Sequence, residues 1–217
     1  MMHDPYERLS ATQRGQLADF QEQLLFFNRR LNLVSRDTEA VFEERHLLHS
    51  LALTYRAFPP GCTVVDWGTG GGLPVIPLAI CFPEVTFYAV DAVGKKIQTV
   101  RTMGRRLGLK NLHPWHGRAE AWSGRAHYSI SRATAPLADL WGWHLAIRDT
   151  TLPVPSGDYW LPGLICLKGG NLDDEIAVLK RIDPALMVDE IPLPSLFKQP
   201  FFIEKNIITV RSGDEPR

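Results

Sequence analysis

The amino-acid sequence predicts an α/β fold in which a mostly parallel, twisted sheet is flanked by helices. From Cys62 onward, short apolar runs alternate with helical patterns, and such alternation favours parallel strands joined by right-handed crossovers. The first sixty residues show helical patterns only, which predicts a helical extension packed on the sheet. A chain of 217 residues has room for one substantial core. We therefore predict a single domain, with the extension over 1–60 and the sheet over 61–217.

Two helices are predicted in the extension. Ser10-Ala11-Thr12-Gln13 has the form of a capping box, and apolar residues then recur at spacings of three and four up to Leu31. A second helix is predicted over about 38–55, and Pro59-Pro60-Gly61 ends it. The residues expected on its inward face are Val41, Leu48, Leu51 and Tyr55.

The predicted sheet contains short buried strands and a terminal hairpin. Helices are expected from about residue 78 and over 95–107, and the loop 149–162 is expected at the surface. The hairpin is predicted to pair 185–192 with 207–210. The strands are expected at 63–66, 85–91, 112–116, 128–131 and 164–167.

Charge and cysteine content exclude several classes of protein. Lys and Arg number 24, as do Asp and Glu, so a site for a polyanion has to be a local patch. Cys62, Cys81 and Cys166 are far apart and form no Cys-x-x-Cys pair, which disfavours a disulfide scaffold or a structural zinc site. No apolar run approaches the roughly 18 residues of a membrane span. We expect a cytoplasmic protein without a metal site or a membrane association.

A glycine loop, Asp66-Trp67-Gly68-Thr69-Gly70-Gly71-Gly72, follows the first predicted strand. Glycines after a strand and before a helix let backbone N–H groups approach a ligand closely. A dinucleotide fingerprint starting at Gly68 requires glycine where Leu73 stands. The acid Asp66, which precedes the glycines, suits a cofactor with a cationic sulfonium and an amino group. The spacing therefore predicts a site for S-adenosylmethionine (AdoMet).

Two further positions extend the predicted cofactor site. Asp91 closes the second strand, where a carboxylate can accept hydrogen bonds from both ribose hydroxyls. Because NAD also carries an adenosine ribose, Asp91 does not separate the two cofactors. Ala119-Glu120 stands beyond the third strand, where the adenine is expected. The alternative interpretation is a non-catalytic α/β domain with turn glycines and surface acids.

The stretch 92–118 contains basic but no acidic residues. On the predicted helix Ile97, Val100, Met103 and Leu107 form the buried face, and the basic side chains flank it. In a neutral protein this is a concentrated positive surface, as contact with nucleic-acid phosphates requires; the alternative is a solvated helix face. The predicted RNA-binding residues are Lys95, Lys96, Arg101, Arg105, Arg106 and Lys110.

The motifs around the predicted site indicate which kind of atom accepts the methyl group. Ser131-Arg132-Ala133-Thr134-Ala135-Pro136 lacks the Pro-Pro-aromatic motif that is typical of methylation at the amino groups of adenine or cytosine. Cys81 and Cys166 are predicted to be core residues and not nucleophiles for carbon 5 of cytosine. The N7 atom of guanine has a free lone pair and needs only positioning, and the absence of a recognisable general base is consistent with it.

Short blocks in one order, from about Leu31 to Val210, resemble the bacterial 16S rRNA methyltransferase G family, also called glucose-inhibited division protein B. Besides the glycine loop with Leu73-Pro74, the matching blocks are Leu31-Asn32-Leu33-Val34-Ser35, Arg45-His46-Leu47-Leu48-His49-Ser50-Leu51, Asp91-x-x-Gly94-Lys95-Lys96, Arg118-Ala119-Glu120, Ser131-Arg132-Ala133 and Leu167-Lys168-Gly169.

The resemblance implies a Rossmann-like class I AdoMet methyltransferase that modifies N7 of a guanosine in 16S rRNA of the small ribosomal subunit. It implies that Arg132 lines the AdoMet site, and Arg132 and Lys168 are candidates for holding an RNA phosphate or the methionine carboxylate. A monomer is expected. With the loop residues included, the predicted cofactor-binding set is Asp66, Gly68, Gly70, Gly72, Leu73, Asp91, Ala119, Glu120 and Arg132.

Three residues depart from the pattern of that family. Trp67 replaces a small aliphatic residue, Val75 replaces a glycine, and His49 replaces an aspartate. The first two changes are expected to repack the pocket, and the third removes any role of that acid. The pair His46 and His49 predicts helix packing and not a metal site. Alternatives at this point are an AdoMet methyltransferase for a small molecule, a NAD-dependent oxidoreductase, and a non-catalytic AdoMet- or RNA-binding module.

Overall fold

The computed structural model describes residues 3–132, 134–151 and 156–213. Within these ranges one seven-stranded sheet has the order β3-β2-β1-β4-β5-β7-β6. The first five strands pair in parallel, and β7 runs antiparallel to both β5 and β6. The mostly parallel sheet and the terminal hairpin are thereby confirmed. The strands are β1 (Thr63–Trp67), β2 (Thr86–Asp91), β3 (Leu112–His116), β4 (Tyr128–Arg132), β5 (Gly163–Gly169), β6 (Met187–Pro192) and β7 (Lys205–Arg211).

The helices flank this sheet, and α1 begins at a side-chain cap. At the start of α1 the Ser10 hydroxyl accepts the N–H of Gln13 at 3.2 Å, and the Gln13 side chain accepts the N–H of Ser10 at 2.9 Å. The predicted capping box is therefore present. The helices are α1 (Ala11–Leu31), α2 (His49–Leu51), α3 (Val75–Cys81), α4 (Gly94–Arg106), α5 (Leu137–Ile147) and α6 (Asp173–Ile182).

The helix predicted over about 38–55 is present as a helical segment, but it is not one regular α-helix. A 3₁₀ turn at Arg36–Val41 is followed by a π-helical turn at Glu43–Leu48, by α2, and by a 3₁₀ turn at Ala52–Tyr55. The reason is burial: 47–53 are all buried in succession, whereas a regular amphipathic helix buries only one stripe. Val41, which was expected to face inward, is 38% exposed.

The extension packs directly on the glycine loop. Leu17, Phe20 and Leu24 of α1 are buried in the same apolar cluster as the sheet residue Val64. A Cβ atom added to Gly71 would lie 3.1 Å from Leu33 Cβ and 3.3 Å from Leu24 Cδ1. The end of α1 and the segment after it therefore cover one side of this loop and leave the other side open.

Candidate active site

A cleft of about 510 Å³ opens beside the glycine loop. Its walls come from the segments that directly follow β1, β2, β3 and β4. The carboxyl ends of parallel strands meet at this edge, and β1 lies between β2 and β4, where the strand order reverses. Ligands of open α/β sheets bind at such a switch point. The lining residues include Leu33, Gly68, Thr69, Gly70, Gly71, Leu73, Val90, Asp91, Ala92, Lys96, Gly117, Arg118, Ala119, Glu120, Arg132, Thr134 and Trp143.

Most of the predicted cofactor residues lie in this cleft. Two do not: Asp66 and Gly72, at the two ends of the glycine loop, are buried and do not line the cleft. The sequence did not single out Leu33, Thr134 or Trp143 as cleft residues. Leu33 belongs to a block that matches the family, which is a usable signal, whereas Trp143 sits on a helix with no motif. The predicted residues on the cleft wall are Gly68, Gly70, Leu73, Asp91, Ala119, Glu120 and Arg132.

The glycines of the loop have different structural tasks. Gly68 has φ +69°, and a Cβ there would overlap the side chain of Thr134, whose hydroxyl donates to the Trp67 carbonyl at 3.0 Å. Gly72 has φ +85°, and its Cβ would lie 2.5 Å from Ile76 Cδ1. Gly72 is therefore required by the packing of α3, whereas Gly68 and Gly70 border the space that a ligand can enter.

Asp91 ties the end of β2 to the glycine loop. Its Oδ2 accepts the N–H of Gly70 at 2.9 Å, and its Oδ1 accepts the N–H of Val93 at 2.8 Å. An ionised carboxylate offers about four lone-pair sites, so both oxygens keep acceptor capacity on the cleft side. Asp91 can thus shape the loop and accept hydroxyl groups at the same time.

Asp66 lies under the loop with an unmet need for hydrogen-bond donors. Among the described residues no hydrogen bond of normal geometry reaches either carboxyl oxygen of Asp66 or the Thr69 hydroxyl, although the Thr69 hydroxyl and the Val75 N–H lie close to this carboxyl. Burial raises the pKa of the Asp66 carboxyl well above its usual range, although the Thr69 hydroxyl and Arg132 oppose that shift. A buried polar group without a partner costs free energy. These orphaned acceptors, below a cradle that a Cβ would fill, fit a ligand with a cationic amino group.

Arg132 and Lys168, the two candidate positioning residues, lie in different surroundings. Arg132 lines the cleft, and burial lowers the pKa of its guanidinium to about 10, so it remains charged at neutral pH. Lys168 donates to the Ala135 carbonyl at 2.8 Å and to Glu175 Oε2 at 2.8 Å. The same Glu175 oxygen accepts the N–H of Leu137 at 2.7 Å. Lys168 thus connects β5 to the starts of α5 and α6 and is not part of the cleft wall.

The three departures from the family pattern are all buried. Trp67 packs edge-on against Trp122 and Trp143, with ring centroids 5.8 and 5.9 Å apart. His49 packs against Phe201 and Phe202, and burial lowers the pKa of its imidazole well below the usual value. It is therefore a neutral packing residue, as the packing prediction requires. Val75 begins α3 in the core. Trp67 does not line the cleft itself but contacts two residues that do, Trp143 and Thr134.

The basic side chains of α4 form a surface that starts at the cleft. Ile97, Val100 and Met103 are buried as predicted, which turns the basic residues outward. Lys96 lines the cleft, and the Arg106 guanidinium lies 5.9 Å from the centre of the Phe27 ring. The exposed members of this basic surface are Lys95, Arg101, Arg105, Arg106 and Lys110.

Other kinds of site are not apparent in the described ranges. No group of three or more His, Cys, Asp or Glu residues there could hold a metal ion. No described helix is long and apolar enough to cross a membrane. Burial raises the pKa of the Cys81 and Cys166 thiols to about 12, so neither is an activated nucleophile.

The chain has the Rossmann-like fold of class I methyltransferases. A precorrin-6y C5,15-methyltransferase from Geobacter metallireducens superposes with a TM-score of 0.55 at 10% identity, covering 76% of this chain and 87% of that one. Fibrillarin from Aeropyrum pernix, solved with natively bound S-adenosyl-L-methionine, superposes with a TM-score of 0.53 at 16% identity, covering 77% and 75%.

Sequence comparison then gives the family. The model of the family described as rRNA small subunit methyltransferase G matches residues 13–183. The ribosomal RNA small subunit methyltransferase G of Salinibacter ruber is 58% identical over 209 residues, which cover 96% of this chain and 97% of that protein. The chain belongs to the rRNA small subunit methyltransferase G family, and the resemblance inferred from its motifs is confirmed.

Proposed function

We propose that this enzyme transfers a methyl group from AdoMet to N7 of a guanosine in 16S rRNA of the small ribosomal subunit. Family membership makes the chain an AdoMet-dependent rRNA methyltransferase. The observation that carries the proposal is the continuity between the cleft and the basic surface of α4, because Lys96 belongs to both. A small-molecule acceptor would not explain why a basic surface adjoins the cleft.

Different residues of the cleft bind different parts of the cofactor. When bound, AdoMet supplies an electrophilic methyl group on a sulfonium centre. Asp91 accepts the ribose hydroxyls with the lone pairs that the loop leaves free. Thr69 lines the cleft and can accept a hydrogen bond from the cationic amino group, beside the buried carboxyl of Asp66. Arg132 holds a carboxylate of the cofactor or a phosphate of the RNA, and Ala119-Glu120 borders the adenine.

The surroundings of the cleft support an acceptor that needs no activation. The buried thiols of Cys81 and Cys166 disfavour carbon-5 chemistry. The segment 131–136, in which Ala133 lies outside the described residues, carries no Pro-Pro-aromatic motif. Guanine N7 has no proton to lose before attack, so catalysis reduces to positioning and to tolerance of the new positive charge.

The N7 assignment is tested by the chemistry of the product. Methylation at N7 places a fixed positive charge on the guanine ring, which makes that nucleotide open to borohydride and aniline cleavage. We expect single-turnover methylation of small-subunit RNA, or of its particles, to produce one cleavable site. The rate of the chemical step should not rise with pH in the acidic range, as it would if a side chain acted as general base.

Two controls sharpen this test. Cys81→Ser and Cys166→Ser should retain methyl transfer in folded protein, because neither thiol is activated. Methyl incorporated at a site that resists cleavage, or lost with either cysteine change, would contradict the N7 assignment. AdoMet binding without any incorporation would instead favour a non-catalytic module.

Charge reversal tests the RNA surface. Replacing Arg105 and Arg106 with Glu is expected to weaken RNA affinity and to lower the slope of log K against log salt by about 2 if both contact phosphate. Affinity for AdoMet should stay unchanged, because neither side chain lines the cleft. The measurement is RNA binding across a salt series. Reversal of the exposed Arg181 and Lys198 is the matched control, and equal losses in both double variants would mean a non-specific charge effect.

We further propose a single domain, a monomer and a cytoplasmic location. Residues 1–60 count as an extension of the same domain because α1 shares one apolar cluster with the sheet. Residues 1–2 and 214–217, the outermost parts of the two predicted segments, lie outside the described residues. The location follows from the proposed ribosomal substrate and agrees with three free cysteines. Light scattering of the purified protein tests the oligomeric state.

A further inference from the structure

A chain of polar contacts runs from the cleft into the extension. The Nδ1 atom of His46 lies 3.4 Å from Arg132 Nη1, and its Nε2 atom lies 2.6 Å from Thr38 Oγ1. Thr38 Oγ1 in turn donates to the Ser35 carbonyl at 2.7 Å. The chain thus connects a residue at the end of β4 with the irregular helical segment that follows α1.

The direction of every hydrogen bond in this chain is determined by its two ends. A guanidinium has donors only, so His46 Nδ1 must accept from Arg132. The hydroxyl proton of Thr38 is used on the Ser35 carbonyl, so its oxygen accepts from His46 Nε2–H. Both ends therefore require the same neutral tautomer of His46, with its proton on Nε2.

The surroundings of His46 keep its ring neutral and in place. The ring packs 5.3 Å from that of Phe42. Burial, together with the nearby cations Arg132 and Arg45, lowers the pKa of the imidazole to about 4. At neutral pH the Nδ1 lone pair therefore remains available to Arg132. The π-helical turn Glu43–Leu48, which carries His46, is of a kind that is frequent at functional sites.

Within the described part of the chain, the guanidinium of Arg132 has one hydrogen-bond partner, and it is His46. A guanidinium has five N–H donors, so the others remain for a ligand in the cleft that Arg132 lines. We propose that His46 is a positioning residue, which holds Arg132 in the orientation that binds the anionic group of its ligand, and that Thr38 in turn orients His46. This inference rests on the proposed function only in taking that ligand to be AdoMet or RNA.

A double-mutant cycle tests whether His46 acts through Arg132. We expect Arg132→Ala to lower one of two quantities by about tenfold or more, since hydrogen bonds to charged groups are worth this much: the affinity for S-adenosylhomocysteine or the affinity for small-subunit RNA. His46→Leu should lower the same quantity by about fivefold, and the double variant should match Arg132→Ala within about twofold. Losses that multiply, or an unchanged value for either single variant, would overturn the inference.

Conservative variants separate positioning from structural support. His46→Asn puts an amide oxygen near the place of Nδ1 and should recover most of what His46→Leu loses. Thr38→Val removes the acceptor that orients the ring and should lower the same quantity, whereas Thr38→Ser should match the parent. Melting temperatures identify any variant that fails to fold. A His46→Asn variant as poor as His46→Leu, or a Thr38→Val variant equal to the parent, would contradict the proposed chain.

The two readouts keep this test independent of the proposed reaction. Calorimetry with S-adenosylhomocysteine needs no methyl transfer. Failure of the parent enzyme to methylate RNA would therefore count against the proposed function alone. Additive losses in the calorimetric cycle would count against His46 alone.

Discussion

Gly68→Val is expected to lower the affinity for AdoMet and S-adenosylhomocysteine by at least about a hundredfold, or about 2.7 kcal/mol. A non-glycine residue in the left-handed region costs about 1–2 kcal/mol, and Gly68 has φ +69°. A side chain would also overlap Thr134, which donates to the Trp67 carbonyl at 3.0 Å. Relief of that overlap has to displace Thr134 or the loop, and a shift of the loop also moves the Gly70 N–H that Asp91 accepts.

A matched control for this change is Gly108→Val. Gly108 has φ +71°, but a Cβ there would meet no atom within 4 Å, so the substitution carries the backbone strain without the collision. We expect it to reduce stability and to leave cofactor affinity unchanged, as measured by isothermal titration on folded protein. If Gly68→Val bound as tightly as the parent, or Gly108→Val lost binding equally, the glycine loop would not be the cofactor cradle.

Trp67→Ala is expected to reduce the free energy of unfolding by about 3–5 kcal/mol, the usual cost of removing a large aromatic side chain from a core. Trp67 is fully buried on β1 and contacts Trp122 and Trp143. Because Trp143 lines the cleft, the resulting cavity should also weaken AdoMet binding in the folded fraction. Urea unfolding and calorimetry give the two quantities.

Trp67→Phe separates aromatic packing from the indole nitrogen. Within the described residues the buried Nε1 of Trp67 has no hydrogen-bond partner, so loss of this N–H removes an unsatisfied donor. The phenyl ring retains much of the contact with Trp122 and Trp143. We expect a cost well below that of Trp67→Ala. Equal destabilisation by both variants would show that the size of the indole, and not aromatic packing, is what the core requires.

Local signals predicted most of the fold correctly, and the exceptions have specific causes. The capping box at Ser10 was sufficient to place α1. Neither α5 nor α6 was predicted. The sequence of α5 is apolar on almost every side and lacks a clear stripe, so periodicity does not mark it. For α6 a usable signal existed: its first turn is acidic and its last turn basic, which is favourable for the helix dipole.

The sequence identified the segments that form the candidate site, but not the side chains that contact one another there. Strand ends and glycine spacing located the loop, Asp91 and Ala119-Glu120, and the cleft forms where these segments meet. The sequence also suggested that Asp66, Gly72 and Lys168 face the cleft. Asp66 and Gly72 are instead buried at the two ends of the glycine loop, and Lys168 bonds to Glu175. Their side-chain directions depend on neighbours that are distant in sequence.

The sequence by itself determined the class of fold, the position of the glycine loop and the family, because these depend on local periodicity and on residue types at short spacing. Only the tertiary structure decided which side chains meet. His46 reaches Arg132 across 86 residues, and Leu33 closes over Gly71. Such contacts arise when the extension buries its apolar residues on the sheet, and no local pattern encodes the geometry of that packing. The physical reason is that burial is a property of the whole core, whereas periodicity is a property of one element.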